Sequence, residues 1–116
     1  MDITVRVQGK VNVLVLKGRL DLANAGELKS AVKSLLEQDK ILMHFNMLGV
    51  DFINSSGLGA LVSMMKEVRV HKGRLTLSHL APYVQEIFEI TQLSNVFEIY
   101  GDEQEAVNSH APAPMV

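Results

Sequence analysis

Asn54, Ser55 and Ser56, followed by Gly57-Leu58-Gly59, are the stretch of this 116-residue chain best suited to do chemistry. It holds two neighbouring hydroxyls and three residues of the types that cap helix N-termini. From Leu58 onward the apolar positions Leu58, Leu61, Val62, Met65 and Val68 fall on one helical face, so the spacing predicts a helix that starts inside the stretch. The hydroxyls would then lie beside the positive end of a helix dipole, where unpaired N–H groups stabilise a phosphate. One reading makes a serine the cap and nothing more. The other makes it a phosphoacceptor, gaining a charge of about −1.5 to −2 where the fold can hold it. Two glycines in a first turn cost stability, so a backbone that something approaches closely is the expected reason for them.

Other chemistries lack their residues. Cysteine is absent, which excludes thiolate metal sites and disulfides. His44, His71, His79 and His110 are scattered without an i, i+4 pair, so neither a metal nor a cofactor is expected. The Gly-x-Ser-x-Gly spacing of a hydrolase elbow is missing, as are the lysine and third glycine of nucleotide-binding loops. His44 lies on a mostly apolar strand and reads as a hydrogen-bonded core histidine. Asn54-Ser55-Ser56 fits a glycosylation acceptor, a chance match in a chain that opens without an export signal. With 11 basic and 13 acidic residues and no Trp, neither a phosphate backbone nor stacked bases find a surface, so direct nucleic-acid binding is not expected. No segment reads as a membrane span, and the cytoplasm is the expected compartment.

The elements that would position the serines follow from periodicity. Residues 3–7 alternate as a strand with one wet face, Gln8-Gly9-Lys10 turns, and Val11–Leu16 is a strand covered on both faces. Lys17 to Asp21 ends it, with Asp21 as N-cap of a helix over Leu22–Gln38 whose buried face is Ala25, Leu28, Val32, Leu35 and Leu36. Ile41–Leu48 is a third strand. The serine helix runs to Val70, with Gly73 fitted to a left-handed C′ position. Adjacent Met64 and Met65 cannot both face the core squarely; core or rim packing is the expectation for the second, and a partner-binding surface the alternative. Residues 74–78 form a strand, Pro82–Phe88 lies in a helix, and 96–100 form a short strand. A helical turn or two near Glu103 precedes a disordered tail from 109 to 116, which leaves residues 1–108 as one domain. Strands alternating with helices imply an α/β fold: a mixed, mostly parallel open sheet of about five strands with three to four packed helices. The loops Gly18–Asp21 and Asp51–Ser56 both leave carboxyl ends of strands, so they are expected to share one surface.

Taken together, Gly18-Arg19-Leu20-Asp21, Phe52 through Leu61, Gly73 through Leu77, Pro82 through Phe88, Thr91-Gln92-Leu93 and Phe97 through Tyr100 resemble the STAS domain family, and within it the bacterial anti-sigma factor antagonists. The resemblance spans roughly residues 3–108. It implies a protein that is not an enzyme. Such a protein binds an anti-sigma factor, usually a serine kinase, and so releases a sigma factor. Phosphorylation by the kinase abolishes binding, and a serine phosphatase restores it. Carried onto this chain, the phosphoacceptor is Ser55, with Asp21, Asn54, Ser55, Ser56, Gly57 and Leu58 in the partner-binding surface. The free protein is expected to be a monomer. One position departs from the family pattern: Asp usually precedes the phosphoserine, and here it is Asn54, which can cap but carries no charge. An unswitched STAS subunit of a lipid-transport or stress-signalling assembly is the alternative.

Overall fold

The computed structural model describes residues 1–110. Strands β1 (Asp2–Gln8) and β2 (Val11–Leu20) form a hairpin whose turn uses Gly9 at φ +62°. Then come α1 (Leu22–Glu37), β3 (Leu42–Ile53), α2 (Ser55–Val70), β4 (Arg74–Ser78), α3 (Pro82–Ile90), a 3-10 turn at Leu93–Asn95, β5 (Glu98–Tyr100) and α4 (Glu103–Ser109). The five strands lie in chain order. β1 is antiparallel to β2, and every other pair is parallel, which is the mixed sheet the alternation of elements predicts.

The main core lies on one face of this sheet. Leu14, Leu16, Met43, Phe45, Leu75 and Leu77 meet Leu28, Val32 and Leu35 from α1, Leu61 and Val68 from α2, and Val84 and Phe88 from α3. Each such side chain contributes about 1.5–3 kcal/mol by leaving water. Met64 and Met65 are both buried here, in keeping with the expected core packing, and neither lies on a partner surface. The unbranched thioether bends to fill space that a rigid side chain could not.

The opposite face carries the buried polar side chains His44, Asn46, Thr76 and Ser78 beside Val11 and Val13, and is covered by α4. His44 is fully buried, with Nδ1 2.8 Å from Thr76 Oγ1 and Nε2 2.7 Å from Ser78 Oγ, the satisfied core histidine read from the sequence. Burial lowers its pKa to about 4. Glu103, at the start of α4, accepts from Arg6 at 2.6 Å, Asn46 at 3.1 Å and Gln8 at 3.3 Å, and Arg6 holds its carboxyl below the usual range. Ser109 closes α4, and His110 contacts Thr76 Oγ1 at 2.9 Å, so the chain stays packed two residues past the expected domain end. Residues 111–116, the rest of the expected disordered tail, lie outside the described residues.

Two strands run further than their sequence patterns indicate. β2 continues through Leu20 and β3 through Ile53, so all but Asp21 of the first expected loop and half of the second are strand. The register between them shifts twice, between Val15 and Lys17 and between Gly18 and Arg19, each time with one extra residue on β3. Each bulge turns the following side chains over. The apolar phase therefore moves from Met43, Phe45 and Met47 to Val50 and then to Ile53. At the first bulge Asn46 Oδ1 accepts the Leu48 N–H at 3.0 Å. The α2 terminus also differs in detail. Lys72 takes the left-handed position at φ +62°, and Gly73 follows it, donating to Val68 O at 2.9 Å. Gly73 is needed for space: a Cβ there would lie 2.3 Å from the Ile41 carbonyl oxygen.

Candidate functional site

β2 and β3 are parallel and end level, with Leu20 opposite Ile53. On the next residue each strand turns into a helix. Asp21 caps α1, its Oδ1 accepting the Asn24 N–H at 3.2 Å. Asn54 caps α2, its Oδ1 accepting the Gly57 N–H at 2.9 Å. Two helix N-termini thus emerge side by side, joined by the Asn54 N–H donating to the Leu20 carbonyl at 3.4 Å. The two stretches expected to share a surface do share one, although what brings them together is strand pairing and not a meeting of loops.

Gly57 makes this proximity possible. A Cβ built on it would lie 2.1 Å from the Leu20 carbonyl oxygen, well inside any real contact. The close approach expected at the first-turn glycines is therefore made by the chain's own β2, and it is made at Gly57 alone. Gly59 faces open space.

Ser55 and Ser56 are the first two residues of α2, and both are exposed. Asn54 occupies the third amide of the helix, and the Asn54 carbonyl takes the fourth, from Leu58, at 2.9 Å. The amides of Ser55 and Ser56 have no intrahelical acceptor, as holds for the opening of any α-helix. Asp21 and Asn54 are half-buried. Leu58 is half-buried against the core, and Gly57 is buried. Of the residues expected to meet a partner, Gly57 is turned inward against Leu20 and shapes the surface without lining it.

Three features of the site go beyond what was read from the sequence. The Arg19 guanidinium lies over the Phe52 ring, 4.0 Å from its centroid, and its Nε is 3.6 Å from Asp21 Oδ2. Asn24 Nδ2 donates to the Arg19 carbonyl at 2.9 Å, tying the first turn of α1 back to β2. Leu22, directly after Asp21, is 78% exposed. Arg19 and Phe52 are 33 positions apart and meet only because the second bulge sets them opposite each other. Leu22 carried a signal in plain view, an apolar residue off the buried face of α1.

The opening of α2 offers an exposed hydroxyl at a positive helix end. A phosphate on Ser55 would stand at a positive helix end with amides free to meet it. No histidine serves as a base there: His44 is held by Thr76 and Ser78, His71 by the Glu67 carbonyl, His79 by the Glu103 N–H and His110 by Thr76. Among the described residues no group of three His, Cys, Asp or Glu side chains is placed to hold a metal ion, and no helix is long and apolar enough to cross a membrane.

Known proteins resemble this chain along most of its length. The anti-sigma-B factor antagonist of Bacillus subtilis is 30% identical over 101 residues, covering 85% of this chain and 92% of that one. Its namesake from Listeria monocytogenes is 29% identical over 98 residues, covering 84% and 86%. The fold is shared with the Bacillus cell fate determinant SpoIIAA in its phosphorylated form, at a TM-score of 0.72 and 21% identity over 95% of this chain and all of that one. It is shared equally with unphosphorylated SpoIIAA, an anti-sigma factor antagonist, at 0.71 and 20% over 93% and 96%. The STAS domain pattern matches residues 2–106, and the chain belongs to the STAS domain family.

Proposed function

We propose that this protein is an anti-sigma factor antagonist switched by phosphorylation of Ser55. Unmodified, it binds an anti-sigma factor that is also a serine kinase, and the sigma factor is released. The kinase then transfers a phosphoryl group. Ser55 Oγ attacks the γ-phosphorus of ATP, the bond to the β,γ-bridging oxygen breaks, ADP leaves, and the hydroxyl proton goes to a base of the kinase. A serine phosphatase reverses the modification. The observation that carries this reading is the exposed Ser55 hydroxyl at the opening of α2, backed by a cap that holds the helix start in place without it.

The switch needs no rearrangement of the fold. Asn54 rather than Ser55 caps α2, so phosphorylation leaves the capping bond from Asn54 to Gly57 intact. The dianion instead acts on the partner, which must strip it of water and meet its charge. Asn54 suits this role. It supplies the capping oxygen that the family's usual Asp would supply, and it sets no second negative charge beside the phosphate. The adjacent methionines, which as a surface feature would have favoured an unswitched scaffold subunit, are both buried in the core.

The test is incubation with the cognate anti-sigma kinase and ATP, mapping of the modified residue, and affinity measurement for Ser55→Ala and Ser55→Asp. Modification at Ser55, with Ser55→Asp binding about a hundredfold more weakly, is the expected result, since a misplaced interfacial charge costs several kcal/mol. No modification, together with unchanged affinity for Ser55→Asp, removes the switch.

A further inference from the structure

The outer edge of β1 stands apart from the Ser55 surface. Among the described residues β1 pairs with β2 on one side only and ends the sheet. Exposed sheet edges are normally made unfit for pairing by short length, bulges, proline or lysine. β1 has seven residues, contains neither Pro nor Lys, and pairs with β2 without a register shift. On the face of the main core it presents Ile3, Val5 and Val7, of which Val5 is 45% and Val7 62% exposed. On the other face it presents Asp2, Thr4, Arg6 and Gln8.

This strand is complementary to itself in one antiparallel register. With Thr4 on the two-fold axis, Asp2 lies opposite Arg6 of the second copy and Ile3 opposite its Val5, and the symmetry makes each pair twice. Unlike charges meet on one face and β-branched side chains on the other, the combinations that stabilise antiparallel pairs. Centred on Val5 instead, Asp2 meets Gln8 and Arg6 meets Thr4, and the charge pairing is lost. Arg6 already binds Glu103 at 2.6 Å, but a guanidinium has five N–H donors and its side chain is 43% exposed.

We propose that β1 is a homodimerisation strand, and that two copies join edge to edge about Thr4 into one continuous ten-stranded sheet. This replaces the monomer expected from the sequence. The β1 edge is separate from the carboxyl ends of β2 and β3, so the inference does not depend on the role of Ser55. A single strand pair buries less than the roughly 1,200 Å² of a standard interface, so the dimer forms reversibly with concentration.

Sedimentation equilibrium across a concentration series up to about 0.5 mM tests association over the weak range in which such contacts fall. The expected mass rises from the 12.8 kDa of one chain to twice that. Val5→Lys, which sets a charge against Ile3 of the second copy, weakens the association about tenfold or more, with unchanged circular dichroism showing that the fold is kept. The chain has no cysteine, so the register can be read by cross-linking. Thr4→Cys brings two thiols onto the axis within disulfide reach, whereas Val5→Cys leaves them beyond the roughly 7 Å limit between Cα atoms. Oxidation should cross-link the first variant and not the second. A constant monomer mass at the highest concentration overturns the proposal, as does a dimer unaffected by Val5→Lys or cross-linking that favours Val5→Cys.

Discussion

Acid should weaken this fold through His44, in a window where few other groups titrate. The ring is fully buried between Thr76 and Ser78, and burial lowers its pKa from 6.5 to about 4. The folded protein therefore keeps His44 neutral down to about pH 4, while the unfolded chain takes up a proton once the pH falls below 6.5. Between those values the unfolded state binds more protons, and stability falls as the pH falls. Integrating the difference gives a loss of about 2 kcal/mol between pH 7 and pH 5. The full shift of pKa corresponds to about 3 kcal/mol by pH 4. His110 is lowered too, first by burial and then by Arg74, and adds to the same trend. The carboxyls of Glu98 and Glu103 are lowered by Arg74 and Arg6, so their stabilisation is lost only below the ordinary carboxylate pKa of 4.5, under the window chosen. Urea unfolding at pH 7 and pH 5 is the assay. With a slope of about 1–3 kcal/mol per molar urea, the wild-type midpoint should drop by roughly 1 M. His44→Gln, which has no proton to bind, should drop by clearly less, whatever its own starting stability. Equal drops in the two proteins would show that the buried histidine is not the acid-sensitive group.

The two first-turn glycines of α2 should respond oppositely to alanine. Gly57→Ala drives a methyl to 2.1 Å from the Leu20 carbonyl and should cost about 2 kcal/mol or more in urea unfolding, separating β2 from α2 and loosening the Ser55 surface. Gly59→Ala meets nothing within 4 Å and should gain up to about 1 kcal/mol from helix propensity, with partner binding unchanged. Asn54→Ala removes the acceptor for the Gly57 N–H and should cost about 1 kcal/mol, whereas Asn54→Asp should be neutral or slightly stabilising, both read as shifts in Tm. Arg19→Ala should cost no more than about 1 kcal/mol of stability, because the guanidinium stacked on Phe52 is solvent-exposed, so any large loss of kinase binding in that variant would mark a contact made by the guanidinium itself.

The division between what the sequence discloses and what it hides follows from the range of the interactions. Asp21 was readable as a cap, and Asn54 to Ser56 as a stretch that holds one, because a cap acts on the amide three residues along, and the helical faces of α1 and α2 were readable because their period is local. β3 was readable as far as Leu48 for the same reason, up to the bulge. A bulge is a relation between two strands. No period-2 pattern survives it, so Asp51 looked like a loop residue although it lies in a strand. Gly57 shows the limit most clearly. Its sequence context signals a close approach, and the approach is there, but only the register of β2 against β3 reveals that the visitor is Leu20. The same contact explains why Ser55 stands where it does. A glycine that lets β2 touch the start of α2 fixes the helix opening from beneath, and a helix start held in this way is what the switch proposed at Ser55 requires.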